Sequence, residues 1–227
     1  MVIMAICLAL FCGGCRSTQH VFPTNDAASV PCSRGSAYFP ASVNGVPPLY
    51  FGPDQATWES LYLKHMGEPS LSQCQTNGGE AELRFLWDRS LSPPIAARLV
   101  VHHDGTGTLF IHMLAHSAGV PLLEPEIEGK TVPEDVWYRQ TLEKRVQLTT
   151  GQVARVVHLA GKVSFESDRT DPKKITTDGS DWIFETQEAG RYRVADFRNY
   201  PPKSARDLGL YLVADLGGIR LQPSEIY

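Results

Sequence analysis

The stretch "DWIFETQEAGRYRVADF", residues 181–197, decides the fold. Two β-rich runs flank Ala189-Gly190, and a two-residue turn there joins them as a hairpin. That turn sets a register in which Trp182 faces Phe197 and Glu188 faces Arg191, both favourable cross-strand pairs. Side chains alternate between the faces of a strand, so Trp182 and Glu185 belong to opposite faces. Trp182 is expected inward with Phe184 and Phe197. Glu185 is expected outward, because burying an unpaired carboxylate is costly.

Working outward, the same pattern recurs upstream. "IAARLVVHHD" (95–104), then "GTG", then "TLFIHMLAH" (108–116) reads as a second hairpin turning at Asp104–Gly107, with His103 opposite Thr108. "AELRFLWDRS" (81–90) and "TLEKRVQLT" (141–149) are further strand candidates. Three stretches read as helices. "DQATWESLYLKHMG" (54–67) places Trp58, Leu61, Tyr62, His65 and Met66 on one face, with Gly67 and Pro69 as stop signals. "TTGQVARVVHLAG" (149–161) opens with a Thr149–Gln152 capping box, and its stripe is Val153, Val156, Val157 and Ala160. Ser204 with Asp207 would cap a third, with Ala205, Leu208, Leu212 and Leu216 inward and Gly217-Gly218 at its end. Residues 117–135 read as a long loop. The order helix, strand, hairpin, strand, helix, hairpin, helix predicts an α+β fold: a mainly antiparallel sheet of hairpins with about three helices packed on one face.

The chain opens differently. Val2 to Phe11 is an apolar run of about ten residues, too short for a bilayer core that needs ~20 helical residues. It fits the h-region of a secretory signal. Gly13 and Gly14 then precede Cys15, which resembles the lipobox of bacterial lipoproteins, where a peptidase cuts before a lipid-bearing cysteine. The pattern departs from the family at Cys12, where Leu is usual, and in lacking Lys or Arg before the apolar run. The other readings are an ordinary cleaved signal and a buried strand. The resemblance implies residues 1–14 as a signal peptide, Cys15 as the lipidation site carrying diacylglyceryl and palmitate-type chains, and membrane attachment through that lipid. Arg16 after the cysteine, rather than Asp, resembles the pattern sent to the outer membrane of Gram-negative cells. Residues 15–50, rich in Ser, Pro, Gly and Asn, read as tether and loop. Residues 51–227 would form a single domain.

Charge narrows the classes. A net charge of −4, spread along the chain, gives no basic stripe and argues against nucleic acid as a partner. Cys7 and Cys12 would leave with the signal, so Cys32 and Cys74 remain as an even pair in an oxidising compartment. A Cys32–Cys74 disulfide would contribute ~4 kcal/mol on the chain-entropy model. Two unpaired thiols are the alternative.

Candidate chemistry is thin. "HHDGTGTLFIH" gathers His102, His103, Asp104 and His112, as a metal site would. His102 and His103 point to opposite faces, though, and His112 lies four positions beyond the His103–Thr108 pair, ~13 Å at ~3.4 Å per residue. Zinc ligands sit ~2 Å from the ion, so these residues cannot share one. His65 and His158 read as packed or surface histidines. Ser180 lies in "DGSDW" without a Gly-x-Ser-x-Gly elbow. Glu124, Glu126 and Glu128 match no EF-hand spacing. The reading therefore assigns no catalytic residue, no metal and no cofactor. The densest stretch, Trp182 to Pro202, mixes aromatics with Glu185, Arg191, Arg193 and Arg198, the composition of an interaction surface. A core hairpin with a charged outer face is the plainer account.

Trp182, Glu185, Gly190 and Tyr192, followed by Leu208, Leu212 and Gly217, resemble the pattern of an uncharacterised family of bacterial lipoproteins and secreted proteins; "MGEPSL" and "LRFLW" extend the likeness. The resemblance implies no activity and no functional residue. The expectation is a lipid-anchored protein of the cell envelope, facing the periplasm, acting as a non-enzymatic accessory or binding protein with an envelope protein partner. The competing readings are a periplasmic enzyme with a non-motif active site, marked by clustered perturbed carboxylates or histidines, and an immunity or inhibitor lipoprotein.

Overall fold

The computed structural model describes residues 38–42, 53–73, 80–89, 92–115, 126–127, 130–131, 138–165, 179–222 and 226. Six long strands form one antiparallel sheet: β1 (Ala81–Arg89), β2 (Ser92–Val101), β3 (Gly107–Leu114), β6 (Gln140–Leu148), β7 (Ser180–Glu188) and β8 (Arg191–Arg198), in the spatial order β6-β3-β2-β1-β7-β8. β4 (Glu126–Ile127) and β5 (Lys130–Thr131) form a separate short ladder within the stretch expected to be a loop. The helices are α1 (Pro53–His65), α2 (Thr150–Ala160) and α3 (Lys203–Leu210); α3 widens into a π-turn over Tyr211–Leu216. The fold is α+β, as the order of elements predicted. Among the described residues no helix is long and apolar enough to cross a membrane.

The β7–β8 hairpin has the expected register, Trp182 opposite Phe197 and Glu188 opposite Arg191. Ala189 (φ 48°) and Gly190 (φ 77°) make the left-handed pair that a tight two-residue turn requires. The β2–β3 register differs from expectation. Val101 pairs with Gly107 and Ala96 with His112, so the turn spans His102 to Thr106 and His103 does not face Thr108. Asp104 builds that wider turn, accepting from the Thr106 backbone N–H (2.9 Å) and hydroxyl (2.6 Å).

Both faces of the sheet are covered, not one. On the first, Phe85, Trp87, Leu99, Ile111, Trp182 and Phe184 pack under α2 and α3. Phe85 stacks on Phe184 at 4.6 Å, and Trp87 meets Trp182 at 4.6 Å with the rings tilted by 40°. Trp182 has no solvent exposure, and its Nε1 donates to Ser180 Oγ at 2.9 Å. On the second face, Leu86, Ala96, Leu114, Ile183 and Val194 pack under Tyr62, Leu63 and Met66 of the α1 region and under Tyr38 and Phe39. Those last two lie inside the stretch read as tether, yet both are buried.

Helix faces also shift from expectation. α1 buries Gln55, Glu59, Tyr62 and Leu63, as the turn after it buries Met66, leaving Trp58, Leu61 and His65 half-buried. α2 carries its capping box as expected but buries Leu159, leaving Val157 exposed. Ser204 does not cap α3: the cap position is Pro202, with no side-chain hydrogen bond. Pro suits a helix start because its missing N–H would be an orphan there anyway.

Candidate functional site

The alternation "AELRFLWDR" puts Glu82, Arg84, Leu86 and Asp88 on one face of β1. On β7 the matching positions are Asp181, Ile183, Glu185 and Gln187, and the register sets Arg84 opposite Glu185 and Asp88 opposite Asp181. A charged face reads as solvated in sequence. Here α1 and the turn after it lie over that face, so the charges are enclosed and must find partners inside.

At its centre is an ion-pair network. Arg84 Nε donates to Glu185 Oε2 at 2.6 Å and Arg84 Nη2 lies 2.5 Å from the same oxygen. The Tyr192 hydroxyl donates to Glu185 Oε1 at 2.9 Å. Arg84 Nη1 donates to the Pro69 carbonyl at 2.5 Å and stands 3.6 Å from Glu68 Oε2. Glu68 Oε2 accepts from Arg98 Nε at 2.7 Å, and Arg98 Nη1 reaches Glu82 Oε2 at 3.0 Å. His112 Nδ1 lies 2.9 Å from Glu68 Oε1. Burial pushes the Glu185 carboxyl up against the opposing pull of Arg84, and does the same to Glu82 against Arg98. For Glu68, burial is outweighed by His112, Arg98 and Arg84, which hold it below its ordinary value. The network is a clamp between the turn after α1 and five strands, β1, β2, β3, β7 and β8, with its charges turned on one another.

A second cluster lies at the other end of the same face. Glu59 of α1, Asp88 of β1 and Asp181 of β7 bring one carboxylate oxygen each within 4.8 Å of one another. Arg198 is the cation facing them, its Nη1 3.4 Å from Asp181 Oδ2. Burial raises Glu59 well above its ordinary value, and Asp88, Asp181 and Asp196 push it further. Burial and then Asp181 raise Asp88 to about 7; burial raises Asp181 to about 6 despite Arg198. Glu59 and Asp181 are buried and Asp88 is half-buried. The arrangement can hold protons near neutrality or a hard cation.

Residues singled out in the sequence land elsewhere. His102 Nε2 is 2.9 Å from Thr108 Oγ1, His103 is exposed, and His112 belongs to the network, so the histidines do not converge. His65 stacks on Tyr138 at 4.3 Å, and His158 is exposed. Glu185 has no exposure and presents nothing to a surface. Arg198 is turned to Asp181, Arg193 lies over the Phe165 ring at 5.1 Å, and Arg191 is exposed at the hairpin tip. Beside that tip, Leu83, Leu99, Val156, Phe165 and Arg193 help line a cleft of about 200 Å³. Cys15, Cys32 and Cys74 lie outside the described residues, as do the side chains of Glu124, Glu126 and Glu128. The acid trio went unread because its members are 59, 88 and 181, on three elements with no local spacing. The available signal was Asp88 and Asp181 beside Trp87 and Trp182, each an acid next to a core aromatic on a strand. No protein-family model, curated protein or solved structure matches the chain.

Proposed function

We propose that the chain is a lipid-anchored protein of the cell envelope that binds a partner there rather than turning over a substrate. The observation carrying this reading is the apolar run that ends in Gly13, Gly14 and Cys15 and turns polar at Arg16. Two or more acyl chains on Cys15 would give stable attachment at ~0.8 kcal/mol per buried CH₂, with no spanning helix needed. In a Gram-negative cell Arg16 directs the protein to the outer membrane. Binding is favoured by where the charge goes: Arg84, Arg98, Glu68, Glu82 and Glu185 act on one another. Arg191 and Arg193, at the open end of the β7–β8 hairpin beside the cleft, are the part of the candidate surface available to an envelope protein partner.

Labelling cells with a palmitate analogue and fractionating membranes tests the reading. The wild-type chain should carry label and sediment with membranes, and Cys15→Ser should lose both. An unlabelled wild type, or a Cys15→Ser protein still held at the membrane, overturns it.

One observation favours the second reading, a periplasmic enzyme. Asp88 and Asp181 stand together with raised values near neutrality, as an acid–base pair does. Asp88, the more exposed of the two, is the one a substrate would reach. A turnover abolished by Asp88→Asn in a folded protein would carry that reading instead.

A further inference from the structure

Glu59, Asp88 and Asp181 are brought together by tertiary structure, since α1 supplies the first and the β1–β7 register supplies the others. Convergence of acids is not by itself a site. The second observation is that two of the oxygens are left over: Glu59 Oε2 and Asp181 Oδ1 are buried and make no hydrogen bond. Buried polar atoms almost always have a partner, and those without one call for an explanation. Glu59 is 1% exposed and projects from α1 into the Asp88–Asp181 pair. The spacing is also that of ligands on one ion. Oxygens bound at ~2.0–2.6 Å to the same centre lie no further apart than ~5 Å, and these lie within 4.8 Å.

We propose that Glu59, Asp88 and Asp181 bind a hard divalent cation of the calcium or magnesium type, which fastens α1 to the sheet. All three donors are carboxylate oxygens, the ligand chemistry of calcium, magnesium and manganese rather than of zinc or copper. Two positive charges added to Arg198 offset three of the four negative charges that Glu59, Asp88, Asp181 and Asp196 would carry. Asp88, the half-buried member, is the side from which an ion and the water ligands it keeps would enter. The site does not depend on the lipid anchor, and its test uses no membrane readout.

The full chain in detergent, stripped with a chelator, is titrated separately with calcium, magnesium and manganese while thermal unfolding is followed. At least one ion should raise the midpoint saturably, as a ligand specific for the folded state does. Terbium luminescence sensitised by Trp87 and Trp182, the neighbours of Asp88 and Asp181, reads occupancy directly. Glu59→Gln keeps a neutral side chain of the same shape in a crowded acid cluster, so in chelator it should melt at or above the wild-type temperature. It should also lose the cation-dependent gain and weaken terbium binding by at least about tenfold, the effect that even outer-shell changes have. Glu188→Gln, at the exposed hairpin tip, should keep the full response. A wild-type midpoint indifferent to all three ions at millimolar concentration overturns the proposal and leaves a shared-proton cluster. An equal gain in Glu59→Gln and Asp181→Asn also overturns it, because the ion then binds elsewhere.

Discussion

Arg84 and Glu185 face each other directly across β1 and β7, joined through Glu185 Oε2, and neither side chain touches solvent. Removing one member of such a pair strands the other as a buried charge, which costs ~3–5 kcal/mol. Glu185→Gln should therefore lower stability by about that much in urea denaturation. Arg84→Met combined with Glu185→Leu should lose much less than the sum of the single changes. Full additivity in the cycle would mean that the two groups do not act as a pair.

Gly209 sits where α3 meets the aromatic stack. A Cβ there would stand 2.8 Å from Phe85 ring carbons and 2.8 Å from Trp182 Cζ3. Gly209→Ala should cost ~1–3 kcal/mol by overpacking, against ~3–5 kcal/mol for Trp182→Ala, which empties the site. Because both act on one contact, Trp182→Ala/Gly209→Ala should be less damaged than the two costs added. Denaturant midpoints of the three variants decide this.

Acid cluster and pH are linked with a definite sign. In chelator, Asp88 holds its proton to about pH 7 and Asp181 to about pH 6, whereas both would lose it near 4 in the unfolded chain. The folded state then binds more protons between those limits, so stability is greatest at the acid end and falls as pH rises through 6 and 7. Glu59 adds to this fall, and the facing Arg198 reduces it. Unfolding free energy measured at pH 5 and pH 8 in chelator should be lower at pH 8. A higher value at pH 8 would show that the cluster is already neutralised.

The Cys32–Cys74 pair gives a counting experiment. Mature protein denatured without reductant should show no titratable thiol from these two residues, and two after reduction. Two thiols before reduction would dispose of the bridge.

What the sequence made legible depended on turn chemistry and on which side of an amphipathic pattern meets the core. Ala189-Gly190 admits one tight turn, so the Trp182–Phe197 register followed from it. The 102–106 turn is built by the Asp104 side chain, which composition alone does not distinguish from a shorter one, and the register there slipped. The order of elements came through because their periodicities are strong. The α1 face did not, since the helix buries Glu59 beneath it while half-exposing Trp58 and Leu61, which apolar periodicity cannot anticipate. The same inversion hid the candidate sites. Charged residues on alternate positions of β1 and β7 look like a wet face until a helix is known to cover them.

The sheet order carries a consequence for how the chain is made. β1 is flanked by β2, its immediate successor, and by β7, whose Glu185 lies 101 residues after Arg84. As the polypeptide emerges, the β1–β2–β3 meander can close early, but the outer rim of β1 stays unpaired until residues 180–188 exist. That rim is a template on which another nascent chain could add a strand. Glu82, Arg84 and Asp88 put charge along it throughout the wait, which discourages such additions. Arg84, one half of the finished ion pair, thus stands first as a charge on a temporary edge, and the distant β1–β7 pairing it awaits is of the kind that makes folding slow.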